Sequence, residues 1–537
     1  MGNISEFGEP ISLELMEKRV ALGQKISKRM YELGITPVYP GFNGIVPHCF
    51  AENNPGANII PQGDWFGYPR PDWLDPTDES FKDIARSFYK TQEKYFGRAT
   101  HFATDILHEG GKAGNVDLTD AARNIQQAML AHNPEAIWVI QAWQDNPRKE
   151  VIEGIDQSHA LVLDIEADEK PRWKQANGFW GTPWAWGVIQ NYGGVLGMYG
   201  NLYDLGVTLP KVTQLPEKER GPLTGLSQTM EGIRHNSVVM DLFGEMTWRQ
   251  EPVDLTNWIE QYAERRYGMK DAHASKAWKI LLNTAYSKRA DGHTTGNGTT
   301  ESLFTAQPSL DAANSSRFGP TTFRYEPLAF QKAYVELLQV NPKIRQTETY
   351  QYDIVDITRQ LIANRGRILL QDIRNAYENK DKETFTILTN QYLQLIDLTE
   401  EILLTHEDWL LGPWLEKAKS WASNEKERKA LEYDARSIIT TWAGEEASKT
   451  LHEYANREWA GIMTDYYKQR WQLYFSSLSE ALEKEEDPEP IHWYQIGESW
   501  ATKQNHFTTK PKGNPYAVSQ KISQTLANMP GQGYVAC

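Results

Sequence analysis

Six short apolar runs, ITPVYPGF (35–42), THFATDIL (100–107), IWVIQAW (137–143), LVLDIEA (161–167), PWAWGVIQ (183–190) and PLTGLSQTM (222–230), recur through the first half of the chain. Helix-period segments separate them. Leu22, Ile26, Met30 and Leu33 form one stripe, and Phe81, Ile84, Phe88 and Tyr95 form another that Gly97 ends; a further helix is predicted over 119–132. Short strands alternating with helices predict parallel βα units and hence an α/β barrel of the TIM type, with about six strands where a closed barrel has eight. Beyond Pro252 the strand pattern stops. Ile354, Ile357, Leu361 and Ile368, then Leu388, Tyr392, Leu395, Leu398 and Ile402, continue as helical stripes. The predicted organisation is a barrel domain over 1–250 and an all-α domain over 251–537, since 537 residues exceed one ordinary core.

A barrel of parallel strands gathers its chemistry at the C-terminal strand ends. Glu109 lies two residues past one apolar run, with Gly110 and Gly111 allowing a sharp turn behind it. Glu231 follows the run at 222–230 in the same way, with Gly232 next. Two carboxylates aimed at one mouth are the minimum equipment for cleaving a glycosidic bond, one as proton donor and one as nucleophile or base. The competing reading is that each glutamate caps a helix or pairs with an arginine, as Arg234 beside Glu231 illustrates. Trp65, Trp143, Trp184 and Trp186 fall in or just after strand-like or loop segments, where an exposed indole stacks on a sugar ring.

Other chemistries are not encoded. The formal charge of −15, without a basic stripe, argues against nucleic acid. His101, His108, His235 and His293 form no HExxH or other metal-ligand spacing, so no metal is expected. No Walker loop or strand-linked GxGxxG calls for a nucleotide cofactor, and none is expected. Cys49 and Cys537 cannot build a disulfide framework. No run is long enough to span a bilayer, and MGNISEFGEP lacks the basic flank and apolar core of an export signal.

TPVYPGFNGIVP, ATDILHEGG, IWVIQAW, LVLDIEA, TGLSQTMEGIRHN and DYYKQRW, in that order and across nearly the whole chain, resemble the α-N-acetylglucosaminidases of glycoside hydrolase family 89. The resemblance implies a barrel followed by an all-helical domain, and hydrolysis of terminal non-reducing α-linked N-acetylglucosamine with retention. It places Glu109 on the general acid/base and Glu231 on the nucleophile. It also places Trp65, His108, Trp143 and His293 at the sugar site, with Trp442 (TTWAG) and Tyr454 (HEYAN) added by the helical domain. His108 stands where many members have Asn. The family carries a small N-terminal domain and first barrel units ahead of the position matched by Met1, in keeping with six strands. Its members are commonly exported, which leaves the compartment open. The implied partner is a glycan ending in α-linked N-acetylglucosamine. The alternatives are a non-catalytic carbohydrate-binding remnant of such an enzyme and, third, a helical scaffold without sugar affinity.

Overall fold

The computed structural model describes residues 11–107, 109–232, 236–287 and 298–529. The chain forms two compact units. The barrel unit comprises Ile11–Ile189 and Leu209–Thr229, and the helical unit comprises Gln190–Thr208 with the chain from Met230 onward.

The barrel unit is organised on one six-stranded sheet; five of its strands fall inside the apolar runs, and the fourth begins one residue ahead of its run, at Ala160. In chain order these are β1 (Val38–Pro40), β2 (His101–Ala103), β3 (Ile137–Ala142), β4 (Ala160–Asp164), β5 (Trp184–Gln190) and β6 (Leu223–Met230), and they neighbour one another in that same order. The pairings from β1 through β5 are parallel, with Val38 opposite His101, Phe102 opposite Trp138, Trp138 opposite Ala160 and Trp184 opposite Val162. Consecutive parallel neighbours require a crossover on each return, which the helices between the strands supply. α1 (Leu13–Glu32) is capped by Ser12, whose hydroxyl accepts the Leu15 N–H. α2 (Phe81–Phe96) stops at Gly97, where φ is 86°. α3 (Leu118–His132) is capped by Asp117, which accepts from the N–H groups of Thr119 and Asp120.

Burial is greatest in β5, the neighbour of the last strand in the order. All seven residues of β5 are buried, whereas β1 and β6, at the two ends of the strand order, are partly exposed. The stripe expected to seat α1 is exposed instead: Leu22, Ile26 and Leu33 are 41%, 50% and 56% accessible. α1 rests on α2 and β1 through its other face. The Phe96 ring lies 2.9 Å from where a Cβ on Gly23 would stand, and Tyr39 donates to the Ser27 hydroxyl at 2.8 Å. Helical spacing therefore located the helix but not its buried face, because α1 sits beside the end strand.

Sequence periodicity missed two small antiparallel sheets, one of Ile45–Val46, Ile59–Ile60 and Asp72–Leu74, the other of Asp64–Trp65 with Tyr68–Pro69. Two- and three-residue strands are too short to show a period.

The helical unit contains, among the described residues beyond 250, no strand longer than the single bridge Leu410–Ala460. Its long helix, α4 (Glu348–Glu378), buries Ile354, Ile357 and Leu361, and α5 (Lys382–Leu403) buries Tyr392, Leu395 and Ile402 against it. The buried Arg359 in this core is matched, bonding Asp356 at 2.6 Å and Glu458 at 2.5 Å. Such pairing satisfies charges whose isolation in a low-dielectric interior would be strongly unfavourable. Among the described residues no helix is long and apolar enough to cross a membrane. Cys49 is exposed and free, and Cys537 lies outside the described residues.

Candidate active site

In the barrel unit, β2 ends at Ala103, four residues short of the expected end at Leu107. Asp105 is the physical reason. Its carboxylate accepts the Gln141 backbone N–H and the Asn146 side-chain amide, both at 3.0 Å, while its carbonyl accepts the Asn43 amide at 2.8 Å. The chain is thereby pulled out of the ladder into a loop tied to the end of β3 and to the turn after it. Leu107, Glu109 and Gly110 then take positive φ values of 59°, 51° and 88°. The two glycines answer different demands. Gly110 has open space around it but a left-handed backbone, whereas a Cβ on Gly111 would lie 2.8 Å from the Leu107 Cα. Gln62 clasps the far end, accepting the Lys112 N–H at 2.8 Å and donating to the Lys112 carbonyl at 2.9 Å.

This loop leaves Glu109 exposed, with its carboxylate accepting the Trp65 indole N–H at 3.1 Å. Arg70 donates to the Glu109 backbone carbonyl at 2.5 Å and to the Asp64 carbonyl at 3.2 Å, tying the loop to the two-stranded ribbon that carries Trp65. Trp143 is half-buried in a tight turn after β3, where Trp143 and Asn146 exchange backbone hydrogen bonds of 3.1 and 2.9 Å. The Asn146 side chain that closes this turn is the one bound by Asp105. Glu109, Trp65 and Trp143 are therefore carried on interlinked loops of one unit. His108 lies outside the described residues.

Two of the four tryptophans proposed as platforms are core. Trp184 and Trp186 are 0% and 1% accessible; Trp184 stacks on Trp173 at 5.5 Å and donates its indole N–H to the Arg220 carbonyl. Both lie on a strand buried along its whole length, which exposes no face for a ligand. The sequence reading also overlooked Asp164 at the end of β4. Burial pushes its carboxyl up to about 7, against the opposing pull of the Trp173 N–H, which one oxygen accepts at 2.9 Å.

The helical unit holds a second cluster. Glu231, directly after β6, is exposed, and its Oε2 accepts two hydrogen bonds, from the Gly193 N–H at 2.5 Å and the Tyr454 hydroxyl at 2.7 Å. Gly193 and Gly194 form a turn after β5 with φ of 64° and 67°. A Cβ on Gly193 would lie 1.9 Å from the Tyr454 carbonyl oxygen, and one on Gly194 would lie 2.7 Å from Arg457 Nη2 and 2.8 Å from the Glu231 carbonyl. Only glycine fits either position. Sequence reasoning missed both; the available signal was a glycine pair just beyond a strand end.

Tyr454 is flanked edge-on by Trp442 at 5.5 Å and by Phe318 at 5.8 Å. Its preceding residue anchors the loop. Glu453 is buried, accepts from Arg470 at 2.5 Å and from His452, and its own N–H bonds the Thr440 carbonyl at 2.8 Å. Burial alone would raise the Glu453 carboxyl, but Arg470 first and then His452 hold it below its ordinary value. In return, the Glu453 hydrogen bond and charge overcome burial and raise His452 above the ordinary imidazole value. Arg234, His235 and His293 lie outside the described residues.

Residues 1–250 match the model of the alpha-N-acetylglucosaminidase (NAGLU) tim-barrel domain, and residues 258–525 match that of the family's C-terminal domain. The chain belongs to the α-N-acetylglucosaminidase family, glycoside hydrolase family 89. Its architecture is that of the family, an α/β barrel domain followed by a helical C-terminal domain. The family 89 chain is 27% identical to alpha-N-acetylglucosaminidase of Homo sapiens over 97% of its own length and 71% of that protein. It is similar also to the family 89 glycoside hydrolase of Clostridium perfringens in complex with 2-acetamido-1,2-dideoxynojirmycin, with a TM-score of 0.93 and 31% identity over 99% of this chain and 61% of that one. A form of the Clostridium enzyme with two glutamates changed to glutamine, in complex with its substrate GlcNAc-alpha-1,4-galactose, matches with a TM-score of 0.92 and 31% identity over 98% of this chain and 60% of that one. The family 89 chain thus spans about three fifths of the length of those solved chains.

Proposed function

We propose that this chain is a glycoside hydrolase that removes terminal non-reducing α-linked N-acetylglucosamine by a retaining, two-carboxylate mechanism. The observation that carries the proposal is the setting of Glu231, an exposed carboxylate at a strand end with one oxygen held by two donors. In the first step Glu231 attacks the anomeric carbon, the glycosidic C–O bond breaks, and Glu109 gives its proton to the departing oxygen. In the second, Glu109 takes a proton from water, the water oxygen bonds to the anomeric carbon, and the bonding pair returns to Glu231. Retention requires the two carboxyl groups to work about 5–5.5 Å apart. The Trp65 indole on the Glu109 carboxylate supports a fixed orientation for the acid/base.

On this proposal Trp65, His108, Trp143 and His293 contact the sugar from the catalytic domain, residues 1–250, while Trp442 and Tyr454 belong to the contribution of residues 251–537. The substrate bound by the Clostridium relative makes an α-N-acetylglucosaminyl galactoside a suitable natural linkage to test. The direct assay is release of 4-nitrophenol from 4-nitrophenyl α-N-acetylglucosaminide, with the β-anomer and the α-N-acetylgalactosaminide as controls. Turnover of the α-glucosaminide alone is the expected result. Binding of the sugar without turnover selects the carbohydrate-binding reading instead, and absence of both rejects each of them.

A further inference from the structure

Glu231 is held unevenly. Oε2 takes both the Gly193 N–H and the Tyr454 hydroxyl, from positions 38 and 223 residues away, and among the described residues no hydrogen bond is made to Oε1. Both donors are themselves fixed. The Gly193 N–H belongs to a turn closed by the Gly194 N–H on the Asn191 carbonyl at 2.9 Å, and its glycine seats directly against the Tyr454 backbone. The Tyr454 ring is confined between Trp442 and Phe318, in a loop anchored by Glu453 to Arg470.

We infer that Tyr454 and the Gly193 backbone are positioning groups that lock Oε2 of Glu231 and leave Oε1 as the atom that bonds to the sugar. This rests on the nucleophile assignment above. It gives Tyr454 a role different from the sugar contact expected of it. A carboxylate with one oxygen pinned by two convergent donors cannot rotate about its terminal bond, so its free oxygen keeps one direction of attack. The donors also act unequally on the two steps. Glu231 loses charge as the glycosyl ester forms and regains it as the ester breaks. Hydrogen bonds to Oε2 strengthen with that returning charge, so they favour release of the intermediate more than its formation.

The test is Tyr454→Phe, which removes one oxygen, assayed on an aryl α-N-acetylglucosaminide with a 2,4-dinitrophenyl leaving group. Because the 2,4-dinitrophenyl group leaves readily, breakdown of the intermediate is expected to limit turnover on such a substrate. The expected result is a fall in kcat of roughly 10- to 100-fold, a parallel fall in KM, and a glycosyl adduct visible by intact-protein mass spectrometry. Gly193→Ala, whose methyl displaces the turn from Tyr454, is expected to move kcat and KM in the same direction. A raised KM without adduct would overturn the inference and make Tyr454 a sugar contact, and values within twofold of the parent would overturn it outright. Glu231→Ala assayed in parallel separates the cases. If that variant is inactive while Tyr454→Phe is unaffected, only the positioning role fails; if it is active, the nucleophile assignment fails first.

Discussion

Replacing Glu231 with alanine is expected to lower kcat/KM on 4-nitrophenyl α-N-acetylglucosaminide by about 10⁴-fold or more, the scale on which enzymes lose rate with their covalent nucleophile. The loss is specific to attack on carbon. Removing the carboxylate leaves a space on the face opposite the leaving group, and azide admitted there can form the bond that Glu231 formed. The expected product of rescue is the β-configured glycosyl azide, since attack opposite an α-linked aglycone inverts the centre once. The Gly193 and Tyr454 donors, held by their own loops, persist in the variant and neither can replace the nucleophile. Activity near that of the parent contradicts the assignment, as does an α-configured azide.

Glu109→Gln carries the second large effect, and its signature is dependence on the leaving group. An amide keeps the size of the side chain and a carbonyl oxygen able to accept the Trp65 indole N–H, but it cannot supply a proton. For a sugar aglycone, whose departing alkoxide needs protonation, kcat/KM is expected to fall by about 10²- to 10⁴-fold. For a 2,4-dinitrophenyl aglycone, which leaves readily as an anion, the fall is expected to stay below about 10-fold. Equal losses on both substrates, measured as kcat/KM side by side, exclude Glu109 as the proton donor. The contrast also separates chemistry from damage, because a disturbed loop would penalise both substrates alike.

The barrel's strands were legible in the sequence because each is a compact apolar run, and the sheet preserves their chain order. Their ends were less so. β2 stops where Asp105 exchanges ladder pairing for side-chain hydrogen bonds to Gln141 and Asn146, partners 36 and 41 residues away that periodicity does not see. The apolar run that forms β5 did carry a warning about Trp184 and Trp186, since a strand apolar on both faces is covered on both sides of its sheet. Exposure of Leu22 and Ile26 on α1 shows the converse limit, in which correct helical spacing leaves the buried face undetermined when the helix lies beside an end strand.

The candidate site was legible where local chemistry marks it. Glu109 stands out because Gly110 and Gly111 follow it, and the structure gives each glycine a separate conformational reason. Trp65 could be named from the resemblance, but its hydrogen bond to Glu109 spans 44 residues and depends on a ribbon too short to read from sequence. Gly193 and Tyr454 meet at Glu231 from opposite sides along the chain, and no spacing rule links positions 193, 231 and 454.

The stereochemistry of hydrolysis tests the two-carboxylate proposal most directly. Proton NMR of the reaction during its first turnovers, before mutarotation, distinguishes the anomers of the released N-acetylglucosamine by their anomeric coupling. Double displacement through Glu231 predicts the α-anomer first, with the β-anomer growing in later. A β-anomer appearing first would mean that water attacks the glycoside directly, and Glu231 would then not be a nucleophile.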